Sequence, residues 1–158
     1  YMSKQPDEIV KELSLLKAED VADNIERKNV IVIGADTVVA LDGKILGKPK
    51  SEEEAVYMIQ QLQGRAHQVY TGVAILIFDE NGICHRKNHA VCTEVFVNSM
   101  TDSEISEYIS CEEVMDKAGA YGIQGRFAIY INRIEGDYYN VVGLPISYIY
   151  QKLKEEID

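Results

Sequence analysis

Hydrophobic and polar residues are spaced along the chain in patterns that predict four helices. Apolar positions recur with a helical period from Pro6 to about Asn24, and three further helices are predicted to open at Ser51, Thr101 and Leu144. Ser51 and Thr101 each precede a glutamate by three residues, which is the signature of a helix capping box. The proline directly after Leu144 suits the first turn of the last helix.

Short β-branched runs between turn residues predict the strands. They are expected at residues 29–33, 38–41, 45–46, 68–78, 83–97 and 127–134. We interpret Gly34-Ala35-Asp36-Thr37 as the end of the first strand and Asp42-Gly43 as a hairpin turn. Residues 116–125 are rich in glycine and fit neither helix nor strand. The whole pattern predicts one α/β domain over residues 1–158, three-layered or two-lobed, with antiparallel hairpins.

Composition and charge narrow the classes of partner. Of 158 residues, 46% are hydrophobic and 27% are charged, which is close to the average for globular proteins. Sixteen Lys and Arg against 26 Asp and Glu give a formal net charge of −10, so no binding to a nucleic-acid polymer is expected. A small anionic substrate is compatible with this charge, because a few lysines and a metal ion make one pocket positive.

The chain carries no signal for a membrane or an oxidising compartment. No apolar run reaches the ~18–20 residues that a membrane-spanning helix needs, and residues 1–6 lack the apolar core of a signal peptide. Cys84, Cys92 and Cys111 are an odd number of cysteines without a C-x-x-C pair. We therefore expect free thiols in a reducing compartment, no zinc site and a soluble intracellular protein.

Four polar residues are candidates for binding or catalysis. Asp36 follows a buried strand, where a carboxylate holds a divalent cation, acts as a general base or only completes a turn. Lys48, which Pro49 restrains, is either a ligand-binding or an exposed loop lysine. The apolar arc of the first helix is predicted to consist of Ile9, Val10, Leu13, Leu16 and Val21. Lys17 falls on the same arc, where it either points inward or snorkels at the edge. The amide of Gln124 can pair with the edge of a nucleobase.

The other polar residues are interpreted as structural. Asp116 and Lys117 are expected to form an ion pair, and Asp137 and Asn140 to build and cap a loop. The three histidines are interpreted as surface or strand residues without evident partners: His67, His85 and His89.

Five separated motifs resemble those of the Maf family. They are Gly34-Ala35-Asp36-Thr37-Val38-Val39, Gly47-Lys48-Pro49, His67-x-Val69-Tyr70-Thr71-Gly72-Val73, the segment from Asp116 to Gly125 and the loop from Glu135 to Pro145. Their order and spacing match from the first helix to the end of the chain. The resemblance implies a fold like that of the inosine triphosphate pyrophosphatases, with a mixed sheet flanked by helices and two lobes around a cleft.

The resemblance also implies a function. Members of the Maf family are cytoplasmic nucleoside triphosphate pyrophosphatases, which cleave between the α- and β-phosphates with a divalent cation, for which Mg²⁺ or Mn²⁺ is expected. The sequence of residues 120–125 resembles that of the subgroup that acts on dTTP and UTP, rather than that of the subgroup that prefers 7-methylated GTP. A homodimer is expected on the same ground.

Site residues are carried over from the family position by position. Asp36 matches the aspartate that activates the attacking water near the metal, so it is the expected catalytic and metal-binding residue. Lys17 and Lys48 match lysines of the phosphate site. Thr37 and Gln124 match positions that are linked with selection of the base.

One departure from the family keeps alternatives open. Family members begin with a strand, a serine and a pair of arginines before the helix that Pro6 opens here, and arginines at a helix N-terminus are natural phosphate ligands. We expect these 158 residues to be part of a longer product; the alternative is a truncated form with weak or no catalysis. The competing functions are a non-catalytic nucleotide-binding regulator of cell division or septum formation, and a purine-selecting inosine triphosphate pyrophosphatase.

Overall fold

Five strands form one sheet in a computed structural model that describes residues 4–157, without the side chain of residue 157. The strands are β1 (Val30–Leu41), β2 (Lys44–Leu46), β3 (Ala66–Phe78), β4 (Cys84–Val97) and β5 (Ile131–Glu135). Their spatial order is β2-β1-β3-β4-β5, and every described pair is antiparallel. The α/β fold is confirmed, but the expected mixed sheet is wrong for the described strands, since all of their pairings are antiparallel. The expectations about residues 1–3 and 158 lie outside the described residues.

Five α-helices surround the sheet within the described range. They are α1 (Pro6–Ala22), α2 (Glu52–Leu62), α3 (Asp102–Cys111), α4 (Tyr138–Val142) and α5 (Ile146–Ile157). The caps predicted for α2 and α3 are present, since Ser51 accepts a hydrogen bond from the Glu54 amide and Thr101 forms a reciprocal capping box with Glu104. The short helix α4 was not predicted. None of the described helices has the length and apolar character needed to cross a bilayer.

Helix α1 lies unusually close to one face of the sheet. A Cβ atom at Gly34 would overlap the carbonyl oxygen of Ser14, and one at Gly72 would overlap that of Val10. These two glycines therefore let the helix backbone rest directly on β1 and β3. Three buried residues of the helix have small side chains, namely Ser14, Ala18 and Ala22. The other buried residues of the helix are Pro6, Ile9 and Val10.

This packing corrects two sequence-based expectations. The predicted break at residues 34–37 is wrong, because β1 runs through them and pairs with β3 from Val30 to Ala40. Gly34 serves the helix contact rather than a turn. The predicted apolar arc of α1 is also wrong in part, since Leu16 and Val21 are exposed.

The opposite face of the sheet carries α5, α4 and the pair α2–α3 in that order. At one end, Ile149 of α5 packs against Val73 and Ile75 of β3. At the other end, α2 and α3 cover the largest hydrophobic cluster, to which β1 and β3 contribute Val39 and Val69. Helix α4 lies between these two contacts, above the middle of β3.

Residues 127–134 do not form the single strand that was predicted. A 3-10 helix over Arg126–Tyr130 precedes β5. Phe127 is fully buried and Ile129 is exposed. The Phe127 ring packs at centroid distances of 4.7 to 5.8 Å against three tyrosines, which are Tyr108, Tyr121 and Tyr130. Because Phe127 and Tyr130 are three residues apart, one tight helical turn brings both rings to the same side.

The turn between β1 and β2 is the hairpin that Asp42-Gly43 predicts. Both turn residues have positive φ, 52° and 78°, as a type I′ turn requires. Since β2 pairs only with residues 39–41 of β1, the outer edge of residues 30–38 has no partner strand within residues 4–157. This open edge contains Asp36 and Thr37.

Candidate functional site

Three of the five predicted site residues line one cavity. Thr37 of β1, Lys48 after β2 and Gln124 of the glycine-rich segment surround a space of about 400 Å³. Val39 and Val69 form part of its wall. The volume lies within the usual range for small-molecule sites, and the wall combines apolar surface with a few polar groups, as such sites do.

The glycine-rich segment reaches this cavity through a backbone contact with the loop that carries Lys48. The amide of Gly119 donates to the carbonyl oxygen of Gly47 at 3.1 Å. Gly119 has φ +70°, and a Cβ there would lie 3.1 Å from the Val39 side chain, so glycine suits this position. The segment is irregular, as predicted, apart from a single 3-10 turn over Ala118–Ala120.

Charged and polar side chains surround the mouth of the cavity. Lys48 is exposed, and Lys117 contributes a second cation to the lining. The predicted ion pair is confirmed, because Lys117 Nζ lies 3.3 Å from Asp116 Oδ1, and it also donates to Glu113 O at 2.9 Å. Gln124 is exposed, so its amide can turn either its donor or its acceptor toward a ligand.

Lys17 and Asp36 form a separate pair on the α1 face of the sheet. Lys17 Nζ donates to Asp36 Oδ1 at 2.6 Å and to Ala35 O at 3.3 Å. The Asp36 side chain is 18% exposed and that of Lys17 57% exposed. The ammonium group is thus directed at Asp36. A snorkelling lysine would instead extend its ammonium group into solvent at the edge of the apolar arc.

The open edge of β1 connects this pair with the cavity. Successive strand residues point to opposite faces, so Asp36 points toward α1 while Thr37 points into the cavity. No strand covers this edge among the described residues. Asp36 and Thr37 are therefore neighbouring residues of one strand that serve opposite faces of the sheet, with the Lys17 pair on one face and the cavity on the other.

A metal site made entirely of protein ligands is absent from the described part of the chain. No group of three or more His, Cys, Asp or Glu residues is placed to hold an ion there. A single carboxylate nevertheless suits Mg²⁺, which is usually held by one or two carboxylates together with substrate phosphates and water. Asp36 fits that role as one oxygen ligand, and the donor set does not resemble a zinc site.

His67 has a buried partner, which corrects the interpretation of the histidines. It is a β3 residue without solvent exposure, and its Nε2 is hydrogen-bonded to the hydroxyl of Tyr121, a residue of the cavity wall. Burial lowers the pKa of His67 from 6.5 to about 4, so it is neutral at pH 7. Burial also raises the pKa of the Tyr121 hydroxyl, which stays protonated. His85 and His89 are exposed, as expected, but the ring of His89 has a partner, since it stacks on Tyr148 at a centroid distance of 4.5 Å.

Asn140 and Thr71 are further polar residues beside the cavity that sequence reasoning did not place in the site. Asp137 is a capping residue, as predicted, and the helix that it caps is α4, where it accepts a hydrogen bond from the Tyr139 amide. Asn140 is not a loop or capping residue but a fully buried residue of α4. Thr71 is also fully buried, and it bonds to the Thr37 hydroxyl. The sequence feature that could have identified Thr71 is its polar side chain at one of the alternate positions of β3 that are otherwise apolar.

The three cysteines are free, as predicted, and all three are exposed.

Comparison with known proteins identifies several relatives. A family model described as Maf-like protein matches residues 2–156. A protein of Lachnoclostridium phytofermentans named dTTP/UTP pyrophosphatase is 49% identical over 150 residues, which are 95% of this chain and 76% of the relative. Proteins of the same name from Carboxydothermus hydrogenoformans and Clostridium novyi are 48% and 49% identical. The alignment with the Carboxydothermus protein covers 97% of this chain and 80% of that relative. The alignment with the Clostridium novyi protein covers 90% of this chain and 72% of that relative.

Proposed function

Because this chain belongs to the Maf family, we propose that it hydrolyses dTTP and UTP to the nucleoside monophosphate and pyrophosphate. The relatives named dTTP/UTP pyrophosphatase support the substrates and the reaction. The observation that carries the proposal is the site itself: neighbouring residues of β1 serve a cavity of nucleoside size, through Thr37, and an ion pair with Lys17, through Asp36.

We assign the base to the cavity and the phosphates to the edge of β1. Thr37 and Gln124 lie in the cavity wall, where they offer hydrogen-bonding groups to a pyrimidine. The protein as a whole is acidic. Lys48 at the cavity and Lys17 beside Asp36 supply the positive charge that the triphosphate of the substrate needs.

The chemistry follows from the roles of these side chains. Asp36 accepts a proton from water, and the water oxygen attacks the α-phosphorus in line with the bond to the bridging oxygen. That bond breaks, and its electron pair leaves with pyrophosphate. Lys17 and Lys48 offset the negative charge that develops on the leaving group. A divalent cation held by Asp36 and the phosphates, Mg²⁺ or Mn²⁺, would supply further charge neutralisation.

Two further parts of the proposal concern assembly and location. We propose a homodimer, which the exposed apolar side chains between residues 138 and 150 support, because exposed apolar surface is often found at protein–protein contacts. They are Tyr138, Tyr139, Val142, Leu144, Ile146 and Tyr150. We also propose a cytoplasmic location, which three exposed free thiols support.

The test is an assay of the full-length protein with a panel of pyrimidine and purine triphosphates and Mg²⁺ or Mn²⁺. Chromatography of the products is expected to give dTMP or UMP and pyrophosphate in equal amounts, with purine triphosphates and CTP turned over more slowly. Release of orthophosphate and a nucleoside diphosphate would contradict the reaction. Preference for a purine would favour an inosine triphosphate pyrophosphatase, and binding without turnover would favour a regulator.

A further inference from the structure

A chain of hydroxyl groups connects the cavity with the backbone of α4. Thr37 Oγ1 lies 2.8 Å from Thr71 Oγ1, which in turn lies 2.8 Å from the carbonyl oxygen of Asn140. Thr71 and Asn140 are fully buried, whereas Thr37 is partly exposed and lines the cavity. The outer end of this series of hydrogen bonds is therefore the Thr37 hydroxyl, at the surface that a base would contact.

Asn140 is held firmly at the inner end of this chain. Its side-chain amide donates to Val69 O at 3.1 Å and to Thr93 Oγ1 at 2.8 Å. The helix does not use the Asn140 carbonyl, because the amides of Gly143 and Leu144 both donate to Tyr139 O instead. Without Thr71, this buried carbonyl would lose the hydrogen bond that satisfies it.

These contacts determine the direction of each hydroxyl proton. A threonine hydroxyl has one proton to donate and two lone pairs to accept with, while a carbonyl only accepts. Thr71 must give its proton to the Asn140 carbonyl. The short contact between the two hydroxyls then requires Thr37 to donate to Thr71. The proton of Thr37 points into the protein, and only lone pairs face the cavity.

We propose that Thr71 is a positioning residue for base selection, since it fixes the Thr37 hydroxyl as a hydrogen-bond acceptor that faces ring position 3 of the base. This inference rests on the proposed function, because it assumes that the base occupies the cavity. Uracil and thymine carry an N–H at position 3 and satisfy this acceptor. Cytosine has a bare ring nitrogen there, so two acceptors would face each other without a proton. The exposed amide of Gln124 can rotate to suit either base, whereas Thr37 cannot.

The direct test is Thr71→Val in the full-length protein, with Thr71→Ser as the matched control that keeps the hydroxyl. Valine frees the Thr37 proton, so the ratio of kcat/KM for UTP to that for CTP is expected to fall about tenfold or more, the scale of an unsatisfied buried group. Serine is expected to keep the wild-type ratio. An equal loss of rate with both substrates in Thr71→Val would show a merely structural role and overturn the proposal.

A substrate probe keeps the proposal testable if Thr71→Val does not fold. In the wild-type protein, 3-methyl-UTP lacks the N–H and is expected to lose about tenfold or more in kcat/KM relative to UTP, whereas 5-methyl-UTP, with equal bulk placed elsewhere, is expected to match UTP. Equal rates for 3-methyl-UTP and UTP would overturn this inference alone. A wild-type protein that releases no pyrophosphate from any pyrimidine triphosphate would overturn the proposed function as well.

Discussion

Replacing Gly34 by alanine tests whether the close contact of α1 with the sheet holds Lys17 at Asp36. The new Cβ would lie 2.9 Å from the Ala18 amide nitrogen and closer still to the Ser14 carbonyl, where ordinary contacts begin at 3.4 Å. Helix α1 must therefore retreat by more than 0.5 Å. Overpacking of this kind costs about 1–3 kcal/mol of unfolding free energy, or about 2–12 °C in melting temperature for a chain of this length.

The same retreat acts on the ion pair of Lys17 and Asp36, for which we propose a role in catalysis. Lys17 lies on α1 and Asp36 on β1, and their contact is 2.6 Å. Since a misplacement of about 1 Å in an active site costs up to about 100-fold in rate, we expect kcat/KM for dTTP to fall about 10- to 100-fold. Steady-state assays of pyrophosphate release and thermal unfolding of the purified full-length variant measure the two effects.

A matched control separates displacement of the helix from loss of stability. Ile59 of α2 is fully buried in the hydrophobic cluster at the far end of the sheet. Ile59→Val is expected to cost about 0.5–1.5 kcal/mol with no change in kcat/KM. If Gly34→Ala lowers the melting temperature but keeps wild-type kcat/KM, the close contact of α1 is not what positions Lys17, and the reasoning is refuted.

Three further predictions concern Lys17, His67 and Gln124. Lys17→Ala is expected to raise KM for dTTP about tenfold or more with little change in melting temperature, because Lys17 is 57% exposed. Arg27→Ala, which breaks another exposed ion pair, is its control, and a collapse of stability would instead make Lys17 structural. Because the pKa of His67 is lowered from 6.5 to about 4, the unfolded chain binds the proton first, and stability is lost as pH falls from 6.5 toward 4. Urea unfolding should show a loss of about 2 kcal/mol between pH 7.5 and pH 5 that His67→Asn removes, and an equal loss in the variant would disprove the assignment. Gln124→Glu is expected to narrow the preference for UTP over CTP, and unchanged selectivity would remove Gln124 from base recognition.

The sequence predicts correctly those structural elements that depend only on residues close together along the chain. The Asp42-Gly43 hairpin and the Thr101 capping box depend on neighbouring residues, and both occur as predicted. Gly34 has the opposite character. It looks like a turn residue, but its role is contact with a helix 20 positions earlier, and nothing next to it in the sequence distinguishes these two uses.

The candidate site was predictable only in part for the same reason. Thr37, Lys48 and Gln124 belong to three distant segments, and only the resemblance of their motifs to one family predicts that they share a site. The contact between Thr71 and Asn140 spans 69 positions. It depends on strand register and on the placement of α4, which composition and periodicity do not contain.

The central claim is that Asp36 activates water for attack on the α-phosphorus of dTTP. Its most direct test is the rate of pyrophosphate release from dTTP by the full-length wild type and by Asp36→Asn, with circular dichroism to verify that both are folded. We predict equal amounts of dTMP and pyrophosphate from the wild type and a turnover at least ~10²-fold lower in the variant, the scale of a lost general base. Near-normal turnover by a folded Asp36→Asn variant would contradict the claim.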